Sequence, residues 1–554
     1  LFDSLRGMFH RQWREQALHS LDQRFDLIIV GGGITGCGAF FDAAQRGLKV
    51  LLIEKADLAS GTSSRSSKLI HGGLRYLKNM QFGVTLHSCR ERDRQAALSP
   101  HLIEPLPFIF PTYEGDKTPG WMVEVGLYMY DRMTVPAHRH RRLEDAELER
   151  MAPELPKEDL DRALFYYDAM ADDARLVVAV AATGFAYGGL MLTSAAAEAP
   201  IRDASGALRG LKVRDLDSGR IHEVRASLVI NATGAWVDGL RSLVGLDDKT
   251  VRPSRGAHLI FDRAKLPAEA ALTIPSPDDG RPVFFIPHPE GTLVGTTDHF
   301  HDGRELEDPR ATREELEYLL RTTAAAFPED PPTEDDIVGA FAGVRPTLAS
   351  DATHPSEASR EERIWHEEGL LSVAGGKLTT WRQTAEDVVD EAIEHLPPER
   401  GRALADCATD GTPLAGLAPA DLPGRLEQAF EVHPKVASAM ARRLAGLAFT
   451  ACEMSSAAER RPLREDVDLS AAEVRAWVRF GAVRHLNDLL LRRARLGMWR
   501  PEQAAEVAGA VCEVVAEELS WDAGQRDVEL EALDAELLAW SPRGVSELPA
   551  DPAT

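Results

Sequence analysis

Four cations stand inside short motifs bounded by glycine, proline or serine: Arg75 in Gly-Gly-Leu-Arg-Tyr, Arg345 in Gly-Val-Arg-Pro, Arg360 in Ser-Arg-Glu, and Lys377 in Gly-Gly-Lys-Leu. A guanidinium fork pairs bidentately with a phosphate or carboxylate, and an ammonium adds a compact point charge. Taken singly, each of these residues reads best as half of a surface salt bridge. Four of them in motifs that also bend the backbone are harder to explain that way. His71 and His258 are the only imidazoles embedded in such motifs. Each is a candidate proton acceptor, and each reads equally as a hydrogen-bonded structural histidine. Residues of these types could take up a proton or stabilise a negatively charged oxygen.

Such side chains need a scaffold, and the stretch from Phe25 to Tyr76 supplies its first part. Phe25 to Val30 is an apolar, β-branched run that reads as a buried strand. Gly31-Gly32-Gly33-Ile34-Thr35-Gly36 follows as a G-x-G-x-x-G turn, Cys37 to Gly47 reads as a helix, and Lys49 to Ile53 forms a second strand ending on Glu54. This βαβ pattern binds the pyrophosphate of a dinucleotide: Gly31 turns the chain, Gly33 lets amides approach the phosphates, and Gly36 lets helix pack on strand. The helix N-terminus adds partial positive charge, and Glu54 stands where a carboxylate accepts ribose hydroxyls.

With 554 residues the chain is too long for one core and implies two or three domains. Its formal net charge of −25 argues against nucleic acid as a main partner. Cys37, Cys89, Cys407, Cys452 and Cys512 form no C-x-x-C pair, so neither a disulfide framework nor a zinc site is expected, and a reduced compartment fits. No metal motif and no cleavable signal appear; the chain starts at Leu1 without Met, so preceding residues are expected to be missing. The longest apolar stretch, Leu176 to Leu192, falls short of the roughly 20 residues of a membrane span. It reads as a buried helix through about Tyr187 and a strand from Leu190.

Residues 1–24 carry apolar side chains four apart and predict an amphipathic helix packed on its own protein, with a membrane surface as the sharper alternative. Segment 83–105 predicts a helix and Phe108 to Phe110 a strand. Trp121 to Met133 is a large apolar run followed by the basic His138 to Arg142. A core helix with a solvated loop and a lipid-docking element explain that pattern about equally. Asp168 to Leu176 is read as the start of the buried helix. Arg252 to Phe261 and Pro282 to Asp298 look like antiparallel strands, beyond about residue 400 the pattern turns helical, and from Asp522 the tail is acidic and expected to be peripheral.

The series Thr62 to Tyr76, Asp172-Asp173-Ala174-Arg175-Leu176, Ala232-Thr233-Gly234, Arg255-Gly256-Ala257-His258, Gly295-Thr296-Thr297-Asp298, Gly343-Val344-Arg345-Pro346 and Gly375-Gly376-Lys377-Leu378 resembles the FAD-dependent glycerol-3-phosphate dehydrogenases, within the larger glycine-rich two-dinucleotide-binding flavin oxidoreductases. The resemblance runs from about Phe25 to Gly497; Ala235 stands where the family often has proline.

The resemblance implies an α/β fold: a Rossmann-like FAD-binding domain over residues 25–400, an inserted antiparallel-sheet substrate domain (about 83–160 and 245–345), and a C-terminal helical cap over 401–554. It implies FAD contacts at Gly31, Gly33, Ile34, Thr35, Gly36, Glu54 and Lys55, and along the following loop at Thr62, Ser63, Ser64, Ser67, Lys68, Leu69, His71 and Gly73. Later contacts fall at Thr233, Gly234, Gly375, Gly376, Lys377, Leu378 and Thr379. Arg75, Tyr76, Arg360 and Lys377 would hold phosphate and hydroxyls, with His258 beside them. Arg345 would stand at the reacting hydroxyl; Arg345, Lys377 and His71 are the catalytic candidates, the base being left open. The implied reaction oxidises sn-glycerol 3-phosphate to dihydroxyacetone phosphate and passes electrons to a membrane quinone. An oxidase delivering electrons to O2 and an amine-type flavin oxidase are the alternatives. A peripheral position on the inner, cytoplasmic face of the membrane follows, with a homodimer left open.

Overall fold

The computed structural model describes residues 8–74, 80–134, 139–301, 303, 306–350, 362–401, 404–542 and 544. Arg75, Tyr76 and Arg360, three of the residues singled out above, lie outside them.

Two sheets carry the molecule. In the first, Arg24–Val30 lies between Ile221–Asn231 and Val50–Ile53, and all three run parallel, with Leu27 facing both Leu228 and Val50. Leu190–Leu192 extends the parallel set beyond Val50–Ile53, and Leu370–Ala374 extends it beyond Ile221–Asn231. Leu27, Ile28 and Ile29 are fully buried, because helices and neighbouring strands leave no free face on a parallel sheet. Helices Ile34–Gln45, Asp173–Ala186 and Trp381–Glu394 pack side by side over it. The predicted strand, glycine turn, helix and strand are all present, within a few residues of their expected ends.

The second sheet is almost wholly antiparallel. Ser254–Phe261 lies near one edge, between Gly291–Gly295 and Ile337–Arg345. Pro282–His288 and Ala271–Pro275 lead on to the long pair Ile103–Tyr113 and Leu160–Ala171, which faces Phe108 with Tyr166. Leu69–Ile70 joins this sheet opposite Ala169 and Met170, so the loop leaving the βαβ unit is stitched into the roof. That stitch corrects one expectation. Asp168 to Ala171 end a strand; the helix begins at Asp173, with Asp172 as the cap whose side chain accepts the Arg175 amide.

At the amino end the described helix is only Trp13–His19, and Phe9, Trp13, Ala17 and Leu21 are buried against the protein itself. Beyond about residue 400 the chain is helical, as expected, from Leu422–Phe430 through Pro501–Leu519. The acidic tail is not peripheral. Its residues form the helix Ala523–Trp540, whose Leu533, Leu537 and Trp540 are buried; Trp540 stacks on Phe341 of the antiparallel sheet and lies under Arg65. Net negative charge described that segment's outer face, while its apolar stripe decided where it docks. All five cysteines are free thiols, and among the described residues no helix is long and apolar enough to cross a membrane.

Candidate active site

One cavity of about 2200 Å³ runs between the two sheets. Ordinary small-molecule pockets hold roughly 300–1,000 Å³, so this one suits a dinucleotide together with a second ligand. One end is built by the glycine turn. Gly31 takes φ +114°, and a Cβ there would come within 2.5 Å of the Ala232 carbonyl oxygen; a Cβ on Gly36 would come within 1.9 Å of the Gly31 oxygen. The strand and helix touch through bare backbone, leaving the turn's outer side open to the cavity, which Gly31, Gly33, Ile34 and Thr35 line. Glu54 accepts the Gly32 amide at 2.6 Å and the Ala56 amide at 2.8 Å. Burial pushes its carboxyl above the ordinary range despite those donors. Oε1 also accepts from Ser60 Oγ at 3.5 Å, and Oε2 keeps a further lone pair for a hydroxyl.

Thr62, Ser63, Ser67, Leu69, His71 and Gly73 carry the wall onward, with Lys55, exposed and paired to Glu307, at the rim. Three of the expected cofactor residues do not line the cavity. Gly36 serves the helix–strand contact. Ser64 and Lys68 are buried, and the Lys68 ammonium turns away to Asp173 at 2.9 Å. Asp173 also accepts from Ser66 and from Arg495, so one carboxylate pins the loop from behind. Burial opposes charge on both partners. It brings Lys68 down to about 8, while Lys68 and Arg495 more than offset it at Asp173 and hold that carboxyl below its usual range.

At the other end Arg345 closes the strand Ile337–Arg345. Its Nη1 lies 3.2 Å from Asp298 Oδ1, and its Nη2 donates to Thr296 Oγ1 at 3.1 Å. Asp298 binds Arg281 at 3.1 Å through its other oxygen. A Cβ on Gly256 would come within 2.3 Å of the Arg345 fork, so glycine is what lets the guanidinium lie against this strand. Thr233, Gly234, Gly375, Gly376, Lys377, Leu378 and Thr379 complete this wall. Gly375 and Gly376 take φ +85° and +80°, folding the Gly-Gly-Lys turn back toward the cavity before the helix begins at Trp381.

His71 and Lys377 belong to one constructed corner. The His71 amide donates to Thr379 Oγ1 at 3.1 Å, and that hydroxyl reaches the His71 carbonyl at 3.2 Å. Next to it, the Gly72 amide donates to Tyr130 Oη at 2.8 Å and Asp168 Oδ1 at 3.2 Å, and Arg92 reaches Asp168 at 2.6 Å. The loop is thereby fixed on both sides. His258 is 2 % exposed, stacks on Phe341, and meets Ser67 Oγ through Nε2 at 2.8 Å. Burial, with Arg345 and Lys68 nearby, keeps its ring neutral far below the usual histidine range.

Sequence reasoning passed over Thr296, Asp298, Arg281, Trp236, Asn487 and Arg492, all of which line the cavity. Gly-Thr-Thr-Asp carried a signal for the first two, and Trp236 and Arg492 stand in stretches that resemble the family; Arg281 and Asn487 carried none. Among the described residues no group of three or more His, Cys, Asp or Glu could hold a metal ion.

Comparison with known proteins agrees with this construction. Residues 26–404 match the model of the FAD dependent oxidoreductase family, and residues 407–526 match the C-terminal domain of alpha-glycerophosphate oxidase. A glycerol-3-phosphate dehydrogenase 2 of Mycobacterium tuberculosis is 34% identical over 525 residues, covering 92% of this chain and 87% of the relative. An aerobic glycerol-3-phosphate dehydrogenase of Staphylococcus epidermidis is 33% identical over 528 residues, covering 93% and 94%. The crystal structure of a glycerol-3-phosphate dehydrogenase from Bacillus halodurans complexed with FAD superimposes with a TM-score of 0.78 at 27% identity, over 96% of this chain and 98% of that one.

Proposed function

The chain belongs to the FAD-dependent glycerol-3-phosphate dehydrogenases, and on that premise we propose that it oxidises the C2 alcohol of sn-glycerol 3-phosphate to dihydroxyacetone phosphate. Bound FAD supplies the two-electron acceptor for hydride leaving the substrate carbon. The observation that carries the reading is the Arg345 fork, laid against Gly256 and held between Asp298 and Thr296 on the wall opposite the glycine turn. A planar cation fixed at both nitrogens suits oxygen that becomes negative as its proton departs. Lys377, on its glycine turn, adds a second positive charge, and His71, clasped to Thr379, is the group we assign to take the hydroxyl proton. Arg75, Tyr76 and Arg360 are assigned to the phosphate by family resemblance, with His258 as a neutral neighbour behind Ser67.

Anaerobic mixing with glycerol 3-phosphate tests the substrate: it should bleach the oxidised flavin in one turnover. Bleaching by an amine and not by glycerol 3-phosphate would overturn the assignment.

Electrons then pass to a quinone, with the protein attached peripherally to the inner face of the membrane. Trp121, Met122, Val125 and Tyr128 point outward from helix Gly120–Asp131 and are about half exposed, with Met80 and Phe82 also exposed. Met80, Met122 and Val125 also line the cavity mouth, so the apolar face and the opening coincide. Rapid reoxidation of reduced enzyme by a quinone analogue and slow reoxidation by O2 are expected; the reverse order would make it an oxidase.

A further inference from the structure

A hairpin tip on the antiparallel sheet delivers one more cation to the substrate end of the cavity. Residues 276–281 turn the chain between the paired strands Ala271–Pro275 and Pro282–His288. The Gly280 amide donates to the Ser276 carbonyl at 2.8 Å, Gly280 takes φ +75°, and the Ser276 amide closes the loop on the Arg281 carbonyl at 2.8 Å. Asp279 accepts the Arg281 amide at 2.9 Å and the Tyr318 hydroxyl at 3.0 Å, which ties the tip to helix Arg313–Ala326. Phe284 pairs with Gly295 on the neighbouring strand, and three residues further along that register Arg281 stands opposite Asp298.

The side chains use that placement. Arg281 Nη2 lies 3.1 Å from Asp298 Oδ2, and Nη1 donates to the Asp298 carbonyl at 3.4 Å. The other oxygen of the same carboxylate, Oδ1, lies 3.2 Å from Arg345 Nη1. The Asp298 side chain is buried, and all three residues line the cavity. A buried carboxylate held against one arginine would cancel much of the charge that a developing oxyanion needs from it. Shared with a second arginine, it still fixes the first in place while the trio stays net positive. The Arg345 fork is already seated by Asp298 and Thr296, so charge is what Arg281 adds.

We propose that Arg281 is a positioning residue for the oxidation: by sharing Asp298 it keeps the Arg345 fork positive where negative charge develops on the substrate oxygen. The inference rests on Arg345 standing at the reacting hydroxyl. Arg281 acts through Asp298 and does not itself hold the substrate.

The test follows anaerobic flavin bleaching by glycerol 3-phosphate in the full-length holoenzyme. It reads the limiting rate per bound flavin and the substrate concentration that gives half of it. Arg281→Met keeps the length of the side chain and loses its charge. It should slow the limiting rate roughly fivefold and leave the half-saturating concentration within about twofold, the scale on which a unit charge one side chain removed and 31% exposed acts. Arg281→Lys should restore most of the rate. In an Asp298→Asn background, where the shared carboxylate is gone, Arg281→Met should change the rate by less than about twofold. A raised half-saturating concentration at an unchanged rate would make Arg281 a direct substrate contact and overturn the proposal. Equal slowing in both backgrounds, or a lysine no better than methionine, would overturn it too. So would loss of flavin or stability with an unchanged rate per bound flavin, which would leave Arg281 a structural tie. Bleaching at the wild-type rate in Arg345→Ala would instead strike the reading of Arg345 on which the inference rests.

Discussion

The two ends of the cavity are made by different means. At the pyrophosphate end the wall is backbone: Gly31 and Gly36 bring a strand and a helix together closer than any side chain would allow, within five residues of one another. At the substrate end the wall is side chain: Arg345, Asp298, Lys377 and His71 come from four separate segments and are held by hydrogen bonds among groups far apart in the chain. The first end is a local property that survives or fails as a unit. The second is an assembly whose parts can be removed one at a time.

The largest effect should therefore follow from Gly36→Ala. The added methyl would lie 1.9 Å from the Gly31 carbonyl oxygen, and the strand and the helix packed on it are both buried, so neither can yield cheaply. Overpacking of this kind costs up to ~3 kcal/mol or more. The expected outcome is loss of bound flavin together with a lowered urea midpoint, read from the flavin-to-protein ratio and an unfolding curve. A variant that retains full flavin would mean the turn is not the cofactor's seat.

Arg345→Ala should do the reverse, leaving flavin bound while turnover collapses. Removing one preorganised donor to a developing oxyanion costs ~10²–10³ in kcat. Arg345→Lys should recover little, because an ammonium cannot span Asp298 and Thr296 with one plane. Steady-state rates and the flavin ratio, measured on the same preparations, separate the two ends. If Arg345→Ala shed its flavin, the two ends would be one structure.

This contrast also explains what the sequence could disclose. Gly31 to Gly36 and Glu54 are legible because their function is a backbone spacing, and spacing is written in the chain. Arg345 and Lys377 were found through the glycine and proline around them. Asp298, two residues beyond Thr296 in a quoted motif, is a partner of Arg345 only once two strands flank Ser254–Phe261, so its role is tertiary. Asp168 was assigned to a helix because acids favour helix starts; the long antiparallel pairing with Ile103–Tyr113 overrode that local preference and turned its carboxylate onto Gly72 and Tyr130. The resemblance put Lys68 at the FAD, and Asp173, more than one hundred residues away, directs its ammonium inward instead. The acidic tail shows the same limit, since net charge does not reveal the apolar stripe that places Trp540 on Phe341.

Between the two ends lies a corner that mixes both means, where the C-terminal domain meets the βαβ unit, and it carries a titratable anchor. Burial alone would lower the His485 pKa, but the Glu529 hydrogen bond and the nearby Asp488 and Asp217 outweigh it and raise the ring to about 9. The unfolded value is about 6.5. A raised folded pKa means the native state holds the proton more tightly, so the stabilisation is full below about pH 6.5 and fades as pH climbs through 9. The side chain is 41% exposed, and screening by solvent limits the gain to ~1 kcal/mol. His485→Gln should therefore lower the Tm of the holoenzyme by about 1 °C at about pH 6, and the gap to wild type should close by about pH 10. Thermal unfolding of both proteins across that range checks it. A gap that stays constant with pH would assign the anchor to packing and neutral hydrogen bonds, and would move this corner toward the backbone-built end of the comparison.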